Sequence, residues 1–457
     1  MTTLNILNNF KSDFVNFCSD RNQFSPFLQD YRDSSSGIIK SCEKAFIRKR
    51  LFPFFELLAF LLMPKGKTTT LELIQFFHGK GGPHQTVSKS VICRQRKFIK
   101  SDVFVFLNRK LLDRFYLQGN PKRHGHGFLM AVDGTNVSLP YFVSYDEKEV
   151  PEPKGTQVPQ MRLVMVYDIL NNLFVAAVLV PISIGEKEAY LELLDSIPSI
   201  IKEDSVFIFD RNYQGHRFFQ TLMMKGIKFI IRLTKAYKKV YDAFEKAKVN
   251  LIDVSLTSNY TARKYHQVPT GDKPIYLHAE RRMLENGESE VCVSNISDDN
   301  LRRESITGLY KLRWTEETAI GRYKNEEQAE IFSSYSMNGI KQDLFAKLLA
   351  YNITSLLVTA AGDDLKKSRG NGLVSSNGAA DKGWKEEINF NVAVGMVASC
   401  FSEWIHGKST AEILTKIVKF IEKCVEYIQL ARHFPRLFRS IKRYGKYQTY
   451  PNYKEAL

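Results

Sequence analysis

Usefully spaced cysteines are missing from this chain, and acidic residues are in deficit. The six cysteines (Cys18, Cys42, Cys93, Cys292, Cys400 and Cys424) include no C-x-x-C pair, which argues against both a disulfide framework and a zinc ribbon. A reducing cytosol is the setting this implies. Asp and Glu number 49 against 65 Lys and Arg, a formal charge of +16, and such an excess favours a polyanionic partner, nucleic acid before a membrane surface. Long apolar runs are also absent. "LFPFFELLAFLLM" (51–63) is too short for a bilayer and contains Glu56, so it reads as a buried helix. The start, "MTTLNILNNFKSDF", has no basic stretch leading into an apolar one, so no signal peptide and no membrane association are expected.

What is present suffices for a large core. Of 457 residues, 44% are hydrophobic and 12% aromatic, enough for one sizeable core with appended or inserted modules. Residues 1–120 carry amphipathic runs around 10–32, 41–63, 70–78 and 102–117 and read as a helical, DNA-binding N-terminal region. Within it "TVSKSVICRQRKFI" (86–99) groups Arg94, Arg96 and Lys97, either a helix presented to DNA or a solvated basic face.

From about 127 the pattern changes to strands. "GFLMAVDGTNVSL" is an apolar run ending at Asp133, and "MRLVMVYDIL" and "LFVAAVLVPI" flank Asn171-Asn172 as a hairpin. A helix over 185–201, the strand "SVFIFD" ending at Asp210, a helix and the strand "IKFIIRL" follow. Such alternation predicts an α/β fold, a mixed sheet flanked by helices, with ligands gathering at strand ends. Residues 121–234 are therefore the first part of a core, and 235–300 an inserted β-rich module. Residues 301–361 are the core's second part, and "IKQDLFAKLLAYNITSLLVTAA" (340–361) carries Lys347 and Asn352, fitting protein core over lipid. The Gly/Ser/charge-rich 362–387 reads as a linker, and 388–457 as a helical, basic C-terminal region.

One short stretch concentrates the chemistry. "LYKLRWTEETAIGRYK" (309–324) sets two adjacent glutamates among arginines and lysines. Projected as a helix at about 100° per residue, Tyr310, Arg313, Glu317 and Lys324 share one arc roughly 60° wide, while Glu316 points about 100° away. Spacing therefore selects Glu317 over Glu316. Taken alone, the stretch also fits an exposed helix with i,i+4 ion pairs. With Asp133 and Asp210 at strand ends, however, three carboxylates come from separate elements. Carboxylate oxygens hold hard divalent cations such as Mg²⁺, and two ions about 4 Å apart serve phosphodiester cleavage and transfer.

At these residues the sequence resembles the DDE transposases of the insertion-sequence-four type, defined by Tyr-x2-Arg-x3-Glu-x6-Lys. Tyr310, Arg313, Glu317 and Lys324 match that spacing without a gap. "AVDGT" resembles the segment of the first aspartate (Asp133), and "FIFDRNY" that of the second (Asp210, with Arg211 and Tyr213). The segments "VSNISDDNLRRESITGLYKLRW" and "GIKQDLFAKLLAYNI" are similar too, and the likeness spans roughly 85 to 360.

The resemblance implies a ribonuclease H-like catalytic core and a metal site of Asp133, Asp210 and Glu317 with two Mg²⁺, for which Mn²⁺ substitutes. It implies DNA contacts from Tyr310, Arg313, Lys324, Arg211 and Tyr213. The expected partners are terminal inverted repeats and target double-stranded DNA, engaged by a homodimer in a synaptic complex, with hairpin-ended excision. The expected setting is a prokaryotic cytoplasm, at the nucleoid when DNA-bound. A catalytically silent DNA-binding descendant and a nuclease lacking strand transfer remain alternatives.

Other candidates rank lower. Asp168 sits just before the Asn-Asn turn, Trp314 is expected to pack, and His124 and His126 lie in a Gly-rich loop lacking a metal-ligand pattern. "RHFPRLFRSIKRYGKYQTYPNYK" (432–454) mixes basic and aromatic residues in a manner suited to DNA contact.

Overall fold

The computed structural model describes residues 1–33, 36–47, 52–63, 68–78, 87–125, 127–140, 159–257, 274–284, 287–296, 305–369 and 384–429. His126 and the basic tail 432–454 lie outside them. Two compact units form from interleaved segments. One comprises Met1–Pro121, Asn136–Met161 and Gly321–Leu457, the other Lys122–Thr135 and Arg162–Ile320.

In chain order the described elements begin with α1 (Thr3–Ser19), α2 (Arg21–Phe24), β1 (Tyr31–Arg32), β2 (Ile39–Lys40), α3 (Phe54–Leu62), α4 (Thr69–His78), α5 (Lys89–Arg96) and α6 (Asp102–Gln118). Next come β3 (Phe128–Ser138), β4 (Gln160–Asp168), β5 (Leu173–Pro181), α7 (Glu186–Leu194), α8 (Ser199–Glu203), β6 (Ser205–Phe209), α9 (His216–Met224), β7 (Lys228–Leu233) and α10 (Lys238–Ala247). Then follow β8 (Leu251–Leu256), β9 (Ile275–Met283), β10 (Ser289–Ser294), α11 (Ile306–Lys311), α12 (Trp314–Asn325) and α13 (Met337–Arg369). β11 (Trp384–Ile388), α14 (Phe390–His406), α15 (Thr410–Ile421) and β12 (Val425–Gln429) complete them.

The first unit is mainly helical. Thr2 opens α1 by accepting a bond from the Asn5 amide, and the helix then buries Ile6, Leu7, Phe10, Phe14 and Phe17, a single apolar stripe at helical spacing. α13 is its axis. By length and composition this helix qualifies to cross a bilayer, yet 83% of its most apolar window is buried inside the protein. Asn352 on α13 donates to Asn108 on α6 at 2.8 Å.

The basic face expected over 86–99 divides. Arg94 is exposed, but Arg96 is only 3% exposed and turns inward. Its guanidinium donates to Gln342 Oε1, Ser333 Oγ, the Gly339 carbonyl and Asp343 Oδ1 at 2.7–2.9 Å, which ties α5 to the start of α13. Residues 362–369 continue α13, and 384–388 form a strand paired with β12, so both ends of the expected 362–387 linker are regular structure.

The second unit carries the sheet, whose strand order is β5-β4-β3-β6-β7-β10-β9-β8. β6 lies parallel to both β3 and β7. All five residues of β6, Ser-Val-Phe-Ile-Phe, are buried, as befits a strand covered on both faces. Between β4 and β5, Asn172 adopts a left-handed φ of 56°, a conformation asparagine tolerates. Asp168 holds this turn by accepting from the Leu170 and Asn171 amides and from Asn171 Nδ2.

The stretch 235–300, expected as an inserted β-rich module, contributes three strands between β7 and α11. It opens with helix α10, and β10 then pairs antiparallel with β7, Val291 opposite Leu233, so β8 to β10 extend the same sheet. The alternating pattern was legible, but its non-local partner was not.

Replacing Arg96 by Met removes the guanidinium that pairs with the buried Asp343 carboxylate at 2.9 Å. A loss of about 3–5 kcal/mol in unfolding free energy is expected from urea titration; a loss below about 1 kcal/mol would contradict this role.

Candidate active site

Strand register builds the site. β3 and β6 run parallel with Val132 opposite Phe209, so the next residues, Asp133 and Asp210, are neighbours at the point where the pairing ends. Contrary to expectation β3 continues to Ser138, and the change at Asp133 is from buried to half-buried backbone. Asp210 leaves β6 and caps the short turn Arg211–Tyr213, its Oδ1 accepting from the Asn212 amide.

The glutamate segment is two helices. α11 ends at Lys311 and α12 starts at Trp314. Between them the bonds Arg313 N to Tyr310 O at 3.1 Å and Glu316 N to Arg313 O at 2.9 Å are i to i−3, tighter than an α-helix. The segment is therefore not the single uniform helix of the 100° projection, although Arg313 and Glu317 still share a side that Glu316 does not. Glu316, expected to point away, is 0% exposed, whereas the Glu317 side chain is 38% exposed.

Arg313 links the segment to the sheet. Its Nη2 donates to Glu317 Oε1 at 2.7 Å, and its Nη1 lies 3.4 Å from Asp133 Oδ2. The guanidinium also stands 5.8 Å from the ring centres of Tyr310 and Trp314. Burial opposes the Arg313 charge, but Tyr310, Glu317 and Asp133 more than restore it, so the group stays cationic. Tyr310 is 3% exposed, and burial pushes its hydroxyl up to about 12. Trp314, expected to pack, is 46% exposed.

Asp133 is the electrostatic hub. Burial raises its carboxyl to about 6; Arg313 and the Gly134 amide, which donates to Oδ1 at 2.8 Å, pull it down, and Asp210 and Glu186 raise it. Glu316 is pushed well above the carboxylate range by burial and then by Asp133, with Arg313 opposing. Neither Glu316 oxygen has a hydrogen-bond partner among the described residues. Tyr213 is fully buried, its ring packed on Phe209 and Phe218. Its hydroxyl likewise lacks a described partner and is raised by burial and by Glu186, Asp133, Glu316 and Asp210.

Of the residues picked from sequence, Asp133, Asp210, Glu317, Arg313, Tyr310 and Tyr213 thus share one unit, and Arg211 is exposed within it. Lys324 belongs to the other unit, where it donates to the Asn136 carbonyl and pairs with Glu330 at 3.2 Å. Sequence reasoning missed Glu186 and Arg162, and it set Glu316 aside. Glu186 follows Gly185 at a helix start, where an acid reads as an ordinary response to the helix dipole.

The donor chemistry suits a hard divalent cation. Asp133, Asp210 and Glu317 offer only oxygen, and the unpartnered Glu316 carboxyl and Tyr213 hydroxyl are polar atoms whose burial is otherwise costly. The side chains as they stand form no ready shell: among the described residues no three His, Cys, Asp or Glu converge to hold an ion. Arg313 supplies the positive charge between Asp133 and Glu317.

The first five strands, β5-β4-β3-β6-β7, follow the order of a ribonuclease H-like sheet, with an acidic residue at the C-terminal end of the β3/β6 pairing. Residues 129–353, which contain Asp133, Asp210 and Glu317, match the family model of the transposase DDE domain. Among solved structures, the chain is similar to the piggyBac transposase in its synaptic complex with hairpin DNA. The likeness has 10% identity and a TM-score of 0.34, over 80% of this chain and 74% of that one. No curated protein matches.

An aspartate whose folded pKa lies above its unfolded value binds its proton more tightly when folded, so its contribution to stability falls as pH rises from about 3.8 to about 6. Compared with Asp133→Asn, the parent should lose on the order of 3 kcal/mol across that window. Unfolding measured from pH 4 to 7 checks this, and parallel profiles would refute it.

Proposed function

We propose that the protein is a cut-and-paste DNA transposase that binds the terminal inverted repeats of its element, cuts at the ends and joins the freed 3′ hydroxyls to target DNA. One observation carries the reading: Asp133 and Asp210 stand side by side on parallel strands, with Glu317 tied to Asp133 through Arg313, inside the stretch that matches a transposase DDE domain. The net charge of +16 suits a polyanionic substrate.

In this reading Asp133, Asp210 and Glu317 hold two Mg²⁺. Bound there, the ions would polarise the scissile phosphate and activate the attacking oxygen. Asp133 must be unprotonated to serve, so acid below about pH 6 opposes its role. Arg313, and with it Tyr310 and Lys324, grips the phosphates of the transposon end. A phosphate that draws Arg313 away from Asp133 and Glu317 also frees their carboxylates. Arg211 is exposed beside Asp210 and suits a backbone contact. Tyr213 is fully buried, so a direct DNA contact would require it to turn out. A homodimer holds two ends in a synaptic complex, within a prokaryotic cytoplasm, and excision through a hairpin belongs to the same reading.

The Arg313 bridge also fits a second reading, a silent DNA-binding descendant in which the arginine permanently neutralises the site. Purified protein, Mg²⁺ and DNA carrying the flanking terminal repeats separate the two. The parent is expected to cut and join, and Asp210→Asn and Glu317→Gln to fall to background while still binding the ends. Equal activity in these variants would place the chemistry elsewhere, and a parent that binds but never cuts would favour the silent protein.

A further inference from the structure

Glu186 opens α7, and its side chain lies across the backbone of the residue that follows Asp133. Its Cγ, Cδ and Oε1 are 2.8, 2.9 and 2.9 Å from the point that a β-carbon on Gly134 would occupy. Any side chain at 134 would therefore displace this carboxylate. Arg162 on β4 braces it, with Nε 3.9 Å from Oε1 and Nη1 donating to the Ile184 carbonyl.

The placement works against simple electrostatics. Burial and the Asp210 charge both oppose ionisation of Glu186, and Arg162 and Lys187 only partly offset them. Asp133 in turn feels Glu186 as a like charge. A chain that packs a third acid against two others at the end of its parallel strands needs a compensating cation. Two further buried groups feel the same cluster. The Tyr213 hydroxyl, fully buried and without a described partner, is raised by burial and by the charges of Glu186, Asp133, Glu316 and Asp210. Glu316, equally buried, is raised by burial and by Asp133, and neither of its oxygens has a described partner. Buried polar atoms left unpaired on the rim of an acidic cluster point to a ligand that completes them.

We propose that Glu186 supplies an additional carboxylate to the divalent cation held by Asp133 and Asp210, and that Gly134 is glycine so that it can reach. The inference rests on the reading that those two aspartates bind such an ion. Arg162 is a positioning residue here, holding Glu186 without touching the reacting atoms.

Mn²⁺ binding to the full-length protein without DNA, followed by the electron paramagnetic resonance of free Mn²⁺, tests this apart from activity. Glu186→Gln keeps the shape and removes a repulsive charge, so it is expected to unfold no earlier than the parent but to bind Mn²⁺ at least tenfold more weakly. Gly134→Ala removes no carboxyl group but pushes that of Glu186 aside, and it is expected to weaken Mn²⁺ to a similar degree. The double variant should be little worse than either. Asp210→Asn is the reference and should weaken binding at least as much. If Asp210→Asn weakens binding and Glu186→Gln does not, the role of Glu186 is overturned while the aspartate site stands. If neither variant weakens it, or the parent binds no Mn²⁺, the cation site itself falls.

Discussion

The parallel pairing of β3 with β6 is the constraint on which the rest depends. Two buried strands share a register that sets Val132 opposite Phe209, and the first residue beyond that pair on each strand is an aspartate. Main-chain hydrogen bonds thus bring the aspartate pair together, and the turn that Asp210 caps completes its placement. Slipping either strand by one residue would turn one aspartate to the opposite face of the sheet. Both faces of β6 are buried, so such a slip would force Phe207, Ile208 and their neighbours into packing shaped for other side chains.

Around this pair the protein assembles more negative charge than it neutralises. Asp133, Asp210, Glu186, Glu316 and Glu317 gather with Arg313 and Arg162 as the nearest guanidinium groups. Arg313 is the more deeply committed of the two. It is 5% exposed, sits between two acids and two aromatic rings, and comes from the turn that separates α11 from α12. Beyond that short, tight turn Glu316 lies inside the protein and Glu317 is half open to solvent. Burying an unpaired carboxyl is destabilising, and a chain tolerates it where it serves a site.

Much of this was legible in the sequence, and the parts that were not have physical reasons. Asp133 and Asp210 could be picked because each follows an apolar run, and the Tyr310, Arg313, Glu317 and Lys324 spacing because helical periodicity is local. The break at Leu312–Arg313 was invisible to a projection that assumes one continuous helix. Arg96 looked like part of a basic surface because its partners, Ser333, Gln342 and Asp343, lie more than two hundred residues away. Glu186 read as a helix start, and only the missing β-carbon at Gly134 reveals what it leans on. The pairing of β10 with β7 is likewise non-local, so the sequence shows an inserted β-rich stretch but not which strand it joins.

The interleaving of the helical unit sets an order on synthesis. Lys11 on α1 donates to the carbonyls of Trp404 and Gly407, at 2.7 and 2.6 Å, so the amino terminus is closed by residues almost four hundred positions later. The aromatic face of α1 does not share this wait, since Phe14 and Phe17 pack on Phe27, Phe54, Phe55 and Phe106. At about 5–20 residues per second the acceptors of Lys11 emerge only after tens of seconds, so a message truncated before α14 would yield a first helix that is covered by its neighbours but whose Lys11 ammonium lacks the Trp404 and Gly407 carbonyls.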